Sequence, residues 1–84
     1  MKDKLLLGKG IIEDILNYDS KTKLTIFRFK ENSGKDETIR LIYKGIILED
    51  SVGSNVELFE KKDKESLTGT RLQIYDLNNH IWYF

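Results

Sequence analysis

The chain has one histidine, His80, in the run LNNHIWYF (77–84) beside Trp82, Tyr83 and Phe84, and an imidazole is the side chain best suited to proton transfer at neutral pH. A nucleophilic triad would have to combine it with Ser20, Ser33, Ser51, Ser54 or Ser66. Each of these serines sits among turn-forming residues, and none lies in the small-residue elbow that presents a serine nucleophile. A strand histidine facing water or packed on an aromatic ring accounts better for His80, so no catalytic residue is assigned and the chain is not expected to be an enzyme.

Two acidic pairs, Glu13 with Asp14 and Glu49 with Asp50, are the next candidates, as general acid and base or as a cation site. Neighbouring residues on a strand point to opposite faces, so neither pair converges by itself, and a charged edge or turn is the simpler account. The glycine motifs also fall short. GKG (8–10) has Glu13 where a dinucleotide fingerprint needs glycine, and SGKDE lacks the hydroxyl residue that follows the lysine of a phosphate loop. With no cysteine, disulfides and thiolate metal sites are excluded. No cofactor or metal is expected.

Binding chemistry has two candidate locations. In KTKLTIFRFKE (21–31), Lys21, Lys23, Arg28 and Lys30 interleave with Phe27 and Phe29, a mixture that stacks bases while tracking phosphates. Alternation places Lys23, Thr25, Phe27 and Phe29 on one face, with Leu24, Ile26, Arg28 and Lys30 on the other. A core strand with basic ends explains this at least as well. The second location is the C-terminal run. DLNN reads as a tight turn, with Asn78 and Asn79 suited to the left-handed conformation. Beyond it, His80, Trp82 and Phe84 alternate with Ile81 and Tyr83. In one register Trp82 faces the core, and in the other a His-Trp-Phe stripe is left outside. His80, Trp82, Tyr83 and Phe84 are accordingly the candidate partner surface.

These residues must be positioned by a single small domain, because 84 residues leave room for one core. Fourteen basic and fourteen acidic side chains cancel, so the whole molecule lacks the field that draws proteins to nucleic acid or membrane surfaces. MKDKLLLGKG begins like a signal peptide, but its three leucines are too few for one and far too few for a membrane span, which predicts a cytoplasmic protein. The absence of alanine and proline, with abundant Ile, Leu and Lys, points to an AT-rich genome such as that of a low-GC bacterium or its phage.

Alternation in ETIRLIYKG, SNVELFEK and GTRLQIYD, separated by Asp, Asn, Ser and Gly clusters, predicts half-buried strands. Turn clusters at 18–23, 31–36, 49–55, 61–70 and 76–79 delimit strands at 10–18, 22–30, 37–44, 45–50, 54–60, 70–76 and 79–84. The charged stretch 60–66 reads as a solvated hairpin tip. In GIIEDILNY, Ile11, Ile12, Ile15 and Leu16 also follow a helical spacing, but the flanking glycines and β-branched isoleucines favour a strand. The similarity of KGIIED to KGIILED is too short to make a repeat. The expected fold is all-β, a single antiparallel meander of six or seven strands forming a small barrel or two-layer sandwich. Its expected core is Ile12, Leu16, Leu24, Ile26, Phe27, Ile39, Leu41, Tyr43, Ile46, Leu48, Val56, Leu58, Leu72, Ile74, Ile81 and Trp82.

The succession IIEDILNYDSKTKLTIFRF, ETIRLIYKGIILED, NVELFE and RLQIYDLNNHIWYF resembles a loose class of small bacterial β proteins. In that class a Tyr-Asp turn leads to an L-x-I strand, a K-G-I/V strand follows, and an aromatic strand comes last. The resemblance implies an antiparallel β fold and no particular activity. The expected function is a non-catalytic module that binds another protein, as an inhibitor, immunity or accessory protein, or a second copy of itself through open strand edges. Nucleic-acid binding through residues 21–31 is the alternative, and no membrane association is expected.

Overall fold

The computed structural model describes residues 4–32, 37–62 and 70–84. Most of the turn clusters at 31–36 and 61–70, and most of the charged stretch 60–66, lies outside the described residues. Six strands, β1 (Lys4–Asp19), β2 (Leu24–Glu31), β3 (Thr38–Lys44), β4 (Asn55–Lys62), β5 (Thr70–Asp76) and β6 (Ile81–Tyr83), form one antiparallel sheet in the order β3-β2-β1-β4-β5-β6. The class is the all-β antiparallel one that the alternation predicts.

The order departs from a consecutive meander at one place. Two three-stranded meanders meet where β4 lies against β1, because β1 is 16 residues long and serves two partners. Its residues 4–11 pair with β4, and residues 10–19 pair with β2. The sheet coils without closing into a barrel, and the coil brings β3 toward β5.

Bulges explain the ambiguous spacing in β1. Ile12 pairs with Phe29 and Ile15 with Phe27, with a register shift between Ile12 and Asp14 and another between Ile15 and Asn17. Each bulge inserts a residue and reverses the alternation, so Ile12 and Ile15 share the inner face although they are three apart. A bent strand thereby imitates one face of a helix.

Segment 45–50, expected as a strand, is instead an extended link followed by a 3-10 turn at Glu49–Ser51. Gly45 turns the chain away from the ladder with φ 144°, and the segment then caps one end of the sheet. There Ile47 enters the core, and the Gly53 amide donates to the Ile12 carbonyl at 2.7 Å.

The core consists of Ile12, Phe27, Phe29, Tyr43, Ile47, Val56, Leu58, Ile74 and Tyr83. Ile15, Leu41, Leu72 and Ile81 pack against it from partly buried positions. Five residues of the expected core are exposed: Leu16, Ile39, Ile46, Leu48 and Trp82. Leu16 falls where a bulge resets alternation, and Ile46 and Leu48 flank Ile47, which takes the inward place. Ile39 lies on the inner face of the edge strand β3, where it lines an open apolar hollow with Leu7, Phe29, Leu41 and Leu58.

A directed chain of hydrogen bonds crosses the capped end. The Leu48 amide donates to the Tyr83 hydroxyl at 3.3 Å, and the Ser51 hydroxyl donates to Asp76 Oδ2 at 2.6 Å. Ser51 has a single proton, so the 2.6 Å contact between Ser51 and Tyr83 is donated by tyrosine. Asp76 also accepts from the Asn78 and Asn79 amides at 2.9 and 3.0 Å and from Asn79 Nδ2 at 2.8 Å. Burial alone would raise the Asp76 carboxyl, but the bonds from Ser51, Asn79 and Asn78 outweigh it and hold the group below its ordinary value. This is why DLNN forms the β5–β6 turn. The left-handed residue there is His80, with φ 57°, rather than either asparagine.

Candidate interaction surface

β5 is flanked by β4 and β6, and its inner face carries Ile74 and Asp76, both with no exposure. Alternation therefore turns Gln73 and Tyr75 outward and starts Arg71 on the same side, near the end of β5 where its charge still reaches the Tyr43 phenol. The register aligns Phe59 with Gln73 on one side and Tyr75 with Trp82 on the other. Leu6 of β1 lies opposite Phe59. Phe84, two residues beyond Trp82, continues the same face.

The rings on this face pack on one another. Trp82 lies 4.8 Å from Tyr75, 5.5 Å from Phe59 and 5.7 Å from Phe84, centroid to centroid, and is nearly parallel to Phe84 at 19°. Phe59 and Trp82 belong to strands on either side of β5, so their contact passes over the middle strand, where the register sets Gln73 opposite Phe59. Gln73 is only 3% exposed, and its Oε1 is the one buried side-chain polar atom without a hydrogen-bond partner among the described residues. By contrast Trp82 is 38% and Phe84 63% exposed. The outcome is a small aromatic layer on the solvent side of the sheet, with an unsatisfied carbonyl in its floor.

Polar residues surround the layer. The Tyr75 hydroxyl lies 3.4 Å from His80 Nδ1, and Lys9 reaches Glu57 at 3.7 Å. Lys61 and Arg71 stand directly opposite each other on β4 and β5. The chain as a whole is neutral, but among the described side chains of this face Lys9, Lys61 and Arg71 are cationic and Glu57 is anionic.

Of the predicted partner surface, His80, Trp82 and Phe84 come together here, which is the register that leaves the stripe outside. Tyr83 does not join them. It is 6% exposed on the opposite face, where its ring meets Tyr43 edge to face at 5.9 Å and its hydroxyl bonds Ser51. Phe59, Tyr75 and Gln73 were not among the expected residues. Val56, Leu58, Leu72 and Ile74 define the buried parity of their strands, so the residues between them could have been read as one outward set.

The candidate strand 21–31 takes a different form. Phe27 and Phe29 are buried at 0% and 2%, and so offer no ring for stacking. Lys21 and Lys23 belong to the β1–β2 turn, in which the Lys23 amide donates to the Asp19 carbonyl at 2.6 Å and Lys23 has φ 60°. Arg28 forms a two-pronged bond to Asp14 at 2.8 and 3.0 Å, which lowers the Asp14 carboxyl and raises the guanidinium. Lys30 is half-buried and already engaged.

The other candidates are likewise separated. Asp14 and Glu49 line one open hollow with Ile15 and Val52, but Asp14 is committed to Arg28. No group of three or more metal-ligating side chains occurs among the described residues. Ser51 is fully buried and hydrogen-bonded to Asp76 on the inner face, whereas His80 bonds Tyr75 outside. No helix among the described residues is long and apolar enough to cross a membrane. No family model matches the chain, and no curated protein or solved structure is significantly similar to it.

Proposed function

We propose that this chain is a small non-catalytic module that binds another protein through the outer face of β4, β5 and β6. One observation carries the reading: Phe59, Tyr75, Trp82 and Phe84 form a clustered aromatic layer on the side of the sheet away from the core. Aromatic residues at the centre of a patch, ringed by charged and polar groups, are the usual anatomy of a protein-binding surface, and its few central rings carry most of the affinity. An inhibitor, immunity protein or accessory subunit of a low-GC bacterium or phage is the kind of protein this describes.

The nucleic-acid reading through residues 21–31 has lost its stacking rings to the core, which removes its main support. Pairing between copies at open strand edges would not need the aromatic layer. The test is affinity capture with the native chain and with Trp82→Ala, each with and without nuclease. A protein retained after nuclease treatment by the native chain and lost by Trp82→Ala is the expected result. Equal retention by both, or retention that nuclease abolishes, overturns the proposal.

A further inference from the structure

We infer that the protein bound at the outer face of β4–β6 is acidic where it meets Lys61 and Arg71, and that it delivers a hydrogen-bond donor to Gln73 Oε1. This rests on the docking role proposed above and specifies the partner's chemistry. The first support is charge. Lys61 and Arg71 are direct cross-strand neighbours, and like charges in that position repel. The molecule handles the equivalent pair elsewhere differently. Arg28 faces Arg40 across β2 and β3, and there Asp14 clamps Arg28 at 2.8 Å. Among the described residues no carboxylate lies within 4.0 Å of Lys61 or Arg71. An anionic surface placed over the aromatic layer would supply what Asp14 supplies to Arg28.

Gln73 provides an independent second support. A buried carbonyl oxygen without a donor is costly, and a site built around one discriminates strongly for a ligand that satisfies it. The rings that meet across this strand, Phe59 and Trp82, are side chains, which shift more readily than backbone. An occupant that parts them or slides between Phe59 and Phe84 reaches Oε1 with an N–H or O–H.

A second copy is disfavoured as occupant, because the anion that the described residues of this face offer is Glu57, and Lys9 already engages it at 3.7 Å. A nucleic acid also meets the charge requirement, and the experiment below separates it from an acidic protein.

The experiment selects a displayed library of random peptides against the full chain and measures the winners by fluorescence anisotropy. Enriched peptides should be net acidic and contain a donor-bearing side chain. Their affinity should fall about tenfold or more with Arg71→Glu, with Lys61→Glu and with Gln73→Met, and should weaken with added salt. Neutral or basic winners that still require Trp82 would overturn this inference and leave the docking face standing. No enrichment, or winners indifferent to Trp82→Ala, would sink both. A labelled oligothymidylate that bound more tightly than the peptides would assign the face to nucleic acid. A concentration-dependent dimer lost in Trp82→Ala would assign it to a second copy. Either result overturns the inference. Circular dichroism and melting of each variant establish that it is folded.

Discussion

The Tyr43 hydroxyl donates to the Phe84 carbonyl at 2.6 Å, joining residues 41 apart in the chain and tying β3 to the end of β6. No ladder joins these two edge strands, so side chains hold the coil of the sheet at this point: this bond and the Tyr43–Tyr83 ring contact. Tyr43→Phe keeps the ring and removes the bond, and should lower stability by about 1 kcal/mol in urea unfolding. Amide exchange should quicken first in β6. Burial raises the Tyr43 phenol, against a lesser opposing effect of Arg71, so its stabilisation holds below the ordinary tyrosine value of about 10 and is lost as pH rises through the raised one.

Asp76 makes stability sensitive to acid. Its folded-state value lies below that of the unfolded chain, so its contribution is fully present above about pH 4 and disappears as pH falls through the lowered value. Melting temperature should therefore drop on the acid side of pH 4. Asp76→Asn should flatten that drop while costing about 2 to 4 kcal/mol at neutral pH, because an amide nitrogen would confront donors that the carboxylate satisfied. An unchanged acid limb in the variant would mean that other carboxylates control the transition. Asp14, the other lowered carboxyl, is solvent-exposed beside Arg28, and such a pair contributes little.

Gly10 is the point where β1 passes between β2 and β4. A Cβ there would collide with the Lys30 carbonyl oxygen, and would lie 2.7 Å from the Phe29 ring and 2.9 Å from Glu31 Cα. Two of these three neighbours are backbone and cannot yield without disturbing the ladder. Gly10→Ala should cost about 3 kcal/mol or more, measured by denaturant unfolding. Gly53→Ala meets nothing within 4 Å and suffers only the strain of φ 87°, so it should cost less.

Alternation made the strand content legible, because period-two burial leaves its mark wherever a strand has one wet face. It failed where the backbone breaks that period. The bulges after Ile12 and Ile15 gave β1 a helical spacing, and Gly45 diverted a segment whose composition is strand-like. The pairing of β4 with β1 was hidden because order in a sheet depends on contacts between distant residues, which local pattern does not encode. The aromatic surface was half visible. The sequence narrowed LNNHIWYF to two registers, and the choice between them rests on Tyr83, whose hydroxyl is needed inside by Leu48 and Ser51. Tyrosine with a buried bonding partner outcompeted tryptophan for the inward place.

That choice has a spectroscopic and a thermodynamic consequence. Trp82, partly exposed on the outer face, should emit to the red of a core tryptophan and be quenched by acrylamide in the folded state. Its loss in Trp82→Ala should cost about 1 to 2 kcal/mol, below the 3 to 5 typical of a buried aromatic truncation. Gln73→Met should go the other way. It removes the unsatisfied oxygen while keeping the side chain's length, and should stabilise the isolated protein by about 1 kcal/mol in denaturant unfolding. A variant more stable alone but weaker toward selected peptides would mark Gln73 as a residue kept for binding at the expense of stability. If Gln73→Met is destabilising, the oxygen is satisfied in solution and its role in recognition falls.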